Sequence, residues 1–215
     1  MINNYHMKVE RTAQYSTYGI LTSQTENIWW VCHGYGQLAR YFLKKFEALD
    51  PQKNFVIAPE ALSHFYLKGH QRVGASWMTK EDRLHEIEDY LSYLNTLYDK
   101  VCQQDAFPEK AKSLVLGFSQ GVATVVRWVY EQKISFDHLV MWAGGFPPDV
   151  DFSKTQTVLA NKSLSFVYGL QDELITAKQF ETERQRMLEK QISPKVVTFE
   201  GKHELNGEIL QRLIE

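Results

Sequence analysis

The sequence predicts an α/β protein whose mostly parallel central sheet is covered by helices on both faces. Solid apolar runs typical of buried strands, such as Asn27–Cys32 and Ser163–Gly169, recur along the chain. They alternate with amphipathic segments of helical period, such as 81–101. Because the 215 residues contain no linker and no internal repeat, we expect a single domain over residues 1–215.

The first predicted element is an N-terminal hairpin, built from alternation over 7–15, a Ser-Thr-Tyr-Gly turn and the apolar pair Ile20-Leu21. Strands and helices then alternate. In chain order they are strand 27–32, helix 37–49, strand 54–59, helix 81–101, a strand–turn–helix over 112–128, strands 138–145 and 163–169, helix 176–190, strand 195–201 and helix 206–214. An irregular stretch over 60–79 is long enough to suggest a functional loop, but no large lid domain is expected.

Composition excludes several classes of protein. Hydrophobic residues make up 44% and charged residues 23%, which suits a folded core. A net charge of -2 without dense Lys/Arg blocks argues against a nucleic-acid partner. No apolar stretch predicts a transmembrane segment or a signal peptide, so we expect a cytoplasmic protein. Cys32 and Cys102 lie outside any CxxC motif, and no His/Cys/Asp cluster has metal-ligand spacing, so no metal is expected.

A serine between two glycines marks a turn from a predicted strand into a predicted helix. In the segment GFSQG, Ser119 follows an apolar run and precedes valines at helical spacing. Such a sharp turn forces its central residue into a strained backbone conformation, and glycines two positions away relieve the crowding. The pattern therefore predicts a nucleophile elbow with Ser119 at its tip. The alternative is a glycine-rich turn whose serine only caps the helix.

A serine hydroxyl needs a neighbouring base to act as a nucleophile. Two histidines follow Ser119. His138 opens a buried strand at its amino end and is interpreted as structural, whereas His203 follows the last predicted strand. The acid that orients the base should follow the strand before that one, where Asp172 and Glu173 lie. We predict Asp172 and keep Glu173 as the reserve.

Two backbone N–H donors should complete the site, because acyl transfer develops an oxyanion. One is predicted to be the N–H of Gln120 and the other the N–H of Tyr35, which follows a buried strand in a His-Gly-Tyr-Gly turn. Two aromatic residues are predicted to line an acyl pocket. They are Phe146, which comes directly after a strand, and Trp77, which lies in the irregular stretch.

Four short motifs together resemble the α/β-hydrolase superfamily. They are His33-Gly34-Tyr35-Gly36, Gly117-Phe118-Ser119-Gln120-Gly121, Gly169-Leu170-Gln171-Asp172 and Gly201-Lys202-His203. GFSQG in a chain this short is most similar to the phospholipase/carboxylesterase branch, which includes acyl-protein thioesterases. The resemblance covers nearly the whole chain in element order. It implies a serine hydrolase that cleaves carboxylic esters or thioesters of a small-molecule or acylated substrate without a cofactor.

The sequence departs from this family at three positions. The family often has glycine, histidine and proline where Val122, Tyr168 and Glu173 stand. These departures bear on the subfamily and the substrate more than on the predicted triad. Lipid, protein thioester, acylated sugar and xenobiotic ester all remain open as substrates, and so does the oligomeric state, with a homodimer as one option.

Two other functions compete with the hydrolase. The pattern Gly34-x-Gly36-x-x-Ala39 between a strand and a helix fits a dinucleotide site, with Glu60 as the ribose-binding acid. That interpretation leaves Ser119 and its predicted partners without a role. A non-catalytic binding domain with a hydrolase-like fold is the other alternative.

Overall fold

The computed structural model describes residues 1–214, which form a seven-stranded sheet and a separate two-stranded sheet. The strands are β1 (Tyr15–Tyr18), β2 (Asn27–Cys32), β3 (Asn54–Pro59), β4 (Ser63–Tyr66), β5 (Val73–Ser76), β6 (Lys112–Phe118), β7 (His138–Trp142), β8 (Ser163–Gly169) and β9 (Lys195–Phe199). The large sheet has the order β1-β3-β2-β6-β7-β8-β9. Only β1 is antiparallel to its neighbour, so the carboxyl ends of the other strands meet at one edge.

Helices cover both faces of this sheet. They are α1 (Ala39–Phe42), which continues as a 3₁₀ turn (Leu43–Phe46), α2 (Arg83–Cys102), α3 (Gln120–Tyr130), α4 (Thr155–Val158), which a 3₁₀ turn (Phe152–Lys154) precedes, α5 (Ala177–Glu189) and α6 (Gly207–Arg212). Helices α2, α3 and α5 contribute to one hydrophobic core, and α1 and α6 to another. The predicted fold class is confirmed.

Neighbouring tryptophans on β2 show why the strands read as solid apolar runs. Trp30 packs against Trp128 of α3 on one face, and Trp29 packs against Phe46 on the other. Both indoles are fully buried because successive strand side chains point to opposite, covered faces. Truncating either tryptophan to alanine would cost about 3–5 kcal/mol.

The predicted N-terminal hairpin is wrong. Residues 1–14 contain neither helix nor strand, and β1 pairs with β3, from Tyr15 opposite Pro59 to Tyr18 opposite Val56. An isolated two-stranded hairpin is marginal in water, whereas a strand added to a sheet with a hydrophobic core is stabilised by that core. Residues 7–14, predicted as the first strand of the hairpin, therefore pair with no other strand within the described residues.

The stretch 60–79 is not irregular, as the sequence had suggested. It contains β4 and β5, which form an antiparallel hairpin with Phe65 opposite Gly74. A bridge between Gln37 and Ala75 fastens this hairpin to the turn after β2. Pairing satisfies backbone groups that a long buried loop would leave unbonded.

The helix predicted over 37–49 is shorter and partly 3₁₀. Leu43 and Phe46, at the two ends of the 3₁₀ turn, are both buried, and their spacing of three matches the 3.0 residues per turn of a 3₁₀ helix. The helix predicted over 176–190 is α5, and Thr176 caps it with a complete capping box that involves Gln179.

Candidate active site

Ser119 occupies a strained turn between β6 and α3, as the elbow prediction requires. Its φ is 54° and its ψ is -117°, a region that side-chain-bearing residues rarely adopt. Its N–H donates to the Trp142 carbonyl at 2.8 Å, which fixes the turn against β7. A Cβ on Gly117 would lie 2.4 Å from the Gly121 oxygen, and one on Gly121 would lie 2.1 Å from the Cys32 oxygen. Glycine at both positions therefore allows α3 to start directly behind the serine.

Asp172 and His203, which the sequence places 31 residues apart, meet after β8 and β9. His203 Nδ1 and Asp172 Oδ2 are 2.7 Å apart, and the Asp172 side chain is 0% exposed. An ionised carboxylate only accepts hydrogen bonds, so His203 Nδ1 donates to it, and in the neutral ring this places the free lone pair on Nε2. The other oxygen, Oδ1, accepts the N–H groups of Leu174 and Ile175 at 2.8 and 2.9 Å.

The reserve acid Glu173 faces elsewhere. Its carboxylate is 3.7 Å from the Lys202 ammonium, and both side chains are largely exposed. Glu173 makes no hydrogen bond to His203 within residues 1–214. The geometry therefore supports Asp172 over Glu173 as the partner of the histidine.

The imidazole of His203 lies beside the elbow. Its ring centroid is 4.9 Å from that of Phe118, the residue directly before Ser119. Among the described residues, no hydrogen bond yet joins the Ser119 hydroxyl to His203. Such catalytic hydrogen bonds are often long in the free enzyme and tighten when the substrate binds.

The turn after β2 lies against the serine. A Cβ on Gly34 would be 3.2 Å from Ser119 Cβ. The buried side chain of His33 braces this turn from behind, because its Nδ1 lies 2.8 Å from the Gly34 carbonyl oxygen and its Nε2 accepts the Ala61 N–H at 3.1 Å. Burial lowers the pKa of His33 to about 4, so the ring is neutral and Nδ1 donates.

The bond from His33 fixes the direction of the predicted oxyanion donor. In a planar trans peptide the Gly34 carbonyl and the Tyr35 N–H point in opposite directions. Holding the carbonyl on the His33 side therefore aims the Tyr35 N–H away from His33. Within residues 1–214 this N–H has no acceptor. The importance of His33 was missed in the sequence, although it stands directly after a buried strand.

Gln120 supplies the second predicted donor from the first position of α3, where an N–H has no acceptor inside the helix. Its side chain is held outside the site. Oε1 accepts the Trp77 N–H at 3.1 Å, and Nε2 donates to the Met78 carbonyl at 2.9 Å. These bonds tie the start of α3 to the segment after β5.

The two aromatic residues that the sequence assigned to an acyl pocket are packed in the core instead. Trp77 is 2% exposed, and its indole N–H donates to the His33 carbonyl at 2.8 Å. Phe146 is buried between Tyr130 and Phe152. Trp77 therefore braces the turn after β2, and Phe146 fills space between secondary structures. Aromatic residues contribute more buried area than others, so loop position alone was a weak signal.

The structure contradicts the dinucleotide interpretation. The Glu60 carboxylate is buried, and its Oε2 accepts the Ala39 N–H at the start of α1 at 3.0 Å. Its Oε1 lies 2.8 Å from His64 Nε2. The group expected to bind a ribose thus occupies the helix end where a pyrophosphate would bind.

A second serine–histidine pair lies at the opposite edge of the sheet. His138 Nε2 and Ser165 Oγ are 2.8 Å apart in the wall of a cavity of about 460 Å³. Burial, followed by the nearby Lys112 ammonium, lowers the pKa of His138 to about 4. Without an acid or an elbow this pair lacks the parts of a nucleophilic site, in agreement with the structural interpretation of His138.

This sheet, with its serine elbow and the acid–histidine pair at the same edge, defines the α/β-hydrolase fold. The chain belongs to the serine hydrolase (FSH1) family, whose model matches residues 29–205. It is therefore a hydrolase, and the superfamily resemblance drawn from the motifs is confirmed. No curated protein matches the sequence.

Solved structures with this fold include esterases and a thioesterase. The acyl-protein thioesterase 2 of Zea mays is 14% identical with a TM-score of 0.68, covering 94% of this chain and 96% of that one. Esterase PE8 is 17% identical with a TM-score of 0.67, covering 95% and 97%. A phospholipase/carboxylesterase from Dyadobacter fermentans DSM 18053 is 16% identical with a TM-score of 0.60, covering 96% and 97%. No helix within residues 1–214 has the length and apolarity needed to span a membrane.

Proposed function

We propose that this protein hydrolyses carboxylic esters or thioesters through an acyl-enzyme formed on Ser119. The observation that carries the proposal is the 2.7 Å hydrogen bond between His203 Nδ1 and the buried Asp172 carboxylate. This bond leaves Nε2 of His203 available as the base. The imidazole packs on Phe118, which places it beside the elbow. Ser119 is the nucleophile, His203 the general base and Asp172 the residue that holds the tautomer.

In the first half-reaction the Ser119 hydroxyl attacks the substrate carbonyl carbon while His203 Nε2 takes its proton. The oxyanion accepts hydrogen bonds from the N–H groups of Tyr35 and Gln120, and the positive end of α3 adds to this stabilisation. The tetrahedral intermediate then collapses. The bond to the leaving alcohol or thiol breaks, and His203 returns the proton to it.

In the second half-reaction water attacks the acyl-enzyme. His203 takes a proton from the water, the same two N–H groups hold the new oxyanion, and His203 protonates Ser119 Oγ as the carboxylic acid leaves. Asp172 stays ionised throughout and stabilises the imidazolium that forms in each half. Groups of the chain itself therefore transfer each proton and stabilise each charge that forms.

Apolar side chains at the rim support an acyl substrate. Tyr35 is 60% exposed, and its ring stacks on Phe65 with the centroids 4.9 Å apart. Leu170 and Leu174, on either side of Asp172, are 51% and 69% exposed. Apolar surface therefore borders both the turn that carries an oxyanion donor and the loop that carries the acid. Structures named as thioesterase and esterase share the fold, which is consistent with this substrate class.

The test combines a fluorophosphonate probe with hydrolysis of a short-chain aryl ester. Wild-type protein should be labelled once and hydrolyse the ester, whereas Ser119→Ala should lose both while its circular dichroism spectrum is unchanged. Ser165→Ala is the matched control, because this serine also lies within hydrogen-bonding distance of a histidine but should keep labelling and activity. Undiminished hydrolysis by Ser119→Ala would refute the nucleophile.

The same samples distinguish the remaining alternatives. Absence of covalent label on folded wild-type protein would favour a non-catalytic binding domain. Titration with NAD(H) or NADP(H) should give no binding, since Glu60 occupies the start of α1. If the ester is cleaved, a series of esters and thioesters of increasing acyl length then locates the preferred substrate.

A further inference from the structure

Three metal-ligating side chains meet at the start of α2, far along the chain from the elbow. His6 Nε2 lies 2.8 Å from Asp82 Oδ1, and His85 Nδ1 lies 3.8 Å from the same oxygen. One ligand atom from each of the three residues lies within 4.8 Å of the other two. The two imidazole rings stack with their centroids 4.1 Å apart.

We propose that His6, Asp82 and His85 bind one divalent transition-metal ion, with Zn²⁺ as the type case. Two imidazole nitrogens and one carboxylate oxygen are ligands that Zn²⁺, Co²⁺ and Ni²⁺ accept, whereas Ca²⁺ and Mg²⁺ prefer all-oxygen sets. At metal–ligand distances of about 2.0–2.2 Å, tetrahedral ligands lie about 3.3–3.6 Å apart. The two observed spacings to Asp82 Oδ1, 2.8 and 3.8 Å, bracket this value, and the stacked imidazoles would rotate so that one nitrogen of each ring faces the ion.

The Asp82 carboxylate does not cap the helix that it precedes. It stands at the N-cap of α2, but it accepts no hydrogen bond from the first turn of that helix. An aspartate at this position ordinarily caps the helix. Here the carboxylate instead faces the two histidines, and all three side chains are about half exposed or more, so an ion and its remaining water ligands can reach them.

The ion would join two parts of the chain that are otherwise weakly connected. His6 belongs to the segment 1–14, which has no helix or strand and is almost entirely exposed, whereas Asp82 and His85 are fixed by α2. A metal bond across this gap acts as a crosslink, since binding to the folded arrangement stabilises it by mass action. The proposal does not depend on Ser119.

Calorimetric titration with Zn²⁺ tests the site directly, on chelator-treated protein without a polyhistidine tag. Wild-type protein should bind one ion per chain. His6→Ala, Asp82→Ala and His85→Ala should each weaken binding by at least about tenfold, because loss of even an outer partner of a metal ligand typically costs 10–100-fold. His70→Ala, which removes an exposed histidine outside the cluster, should leave binding unchanged.

Two further measurements separate a built site from scattered surface binding. Co²⁺ should give visible absorption bands of tetrahedral intensity in the wild type but not in Asp82→Ala. Zn²⁺ should slow tryptic cleavage after Lys8 and Arg11, both exposed, and this protection should vanish in His6→Ala. Zinc binding of equal strength in all variants, or no binding by the wild type, would overturn the proposal.

Discussion

Two buried histidines should make the protein lose stability in mild acid. His33 braces the turn after β2, and His138 lies at the amino end of β7. Burial, mainly, lowers the pKa of each from 6.5 to about 4. Below pH 6.5 the two histidines therefore become protonated in the unfolded chain, whereas in the folded chain they stay neutral until about pH 4. Their stabilising effect is complete above pH 6.5 and is lost as the pH falls towards 4.

The size of the effect follows from these values. Between pH 7.5 and pH 5, each histidine should lower the free energy of unfolding by about 2 kcal/mol, and the pair by about 4 kcal/mol. This is a large share of a typical stability of about 5–15 kcal/mol. Burial raises the pKa of Asp149, but hydrogen bonds from Arg127 and Arg83 outweigh it and lower that pKa to about 2. Asp149 therefore lowers the free energy of unfolding only at a lower pH than this interval.

The assay is urea unfolding followed by fluorescence of the five tryptophans, measured from pH 7.5 to pH 5. His138→Gln should be less pH-dependent than the wild type by about 2 kcal/mol over this interval. His70→Gln, which removes an exposed histidine, should behave like the wild type. If His138→Gln folds poorly, the His138 ring resonance of the wild type can be titrated by NMR. An unchanged pH slope in the variant, or a His138 midpoint near 6.5, would refute the reasoning.

Three further predictions concern the site and its frame. Asp172→Asn should lower ester hydrolysis by about 10³–10⁴-fold, because an amide favours the wrong tautomer, whereas Glu173→Gln should retain activity; the reverse result would move the acid by one residue. Gly117→Ala should reduce the free energy of unfolding in urea by about 2–4 kcal/mol, since its methyl group would lie 2.4 Å from a backbone oxygen; equal stability would contradict this close approach. Trp77→Phe should lower kcat more than it raises KM, because the carbonyl of His33 loses its indole donor; unchanged steady-state kinetics would show that the turn does not need this brace.

Local patterns in the sequence were enough to predict most of the fold. The strand β6, the elbow at Ser119 and the helix α3 follow from an apolar run, two close-packed glycines and helical spacing within 17 residues. Such features depend on backbone geometry and side-chain period, which neighbouring residues determine. The N-terminal hairpin failed because the partner of β1 is β3, about 40 residues away.

Some of the predicted site residues followed from local patterns, whereas the positions of others depended on tertiary packing. Asp172 and His203 were proposed because the carboxyl ends of parallel strands share one edge, and the observed hydrogen bond agrees with that reasoning. Trp77 and Phe146 were predicted to line an acyl pocket because of their loop positions, yet tertiary packing buries both. The bracing role of His33 depends on the Ala61 N–H, which only the folded chain brings to its ring.

The sequence alone determined most of the alternation of strands and helices in the large sheet, the sharp turn at Ser119 and the strand ends that carry Asp172 and His203. Tertiary structure alone decided that Asp172 rather than Glu173 contacts the histidine, and that His6 joins Asp82 and His85. The physical reason is range. Backbone conformation is governed by residues a few positions apart, whereas contacts between side chains depend on sheet register and on how remote segments pack.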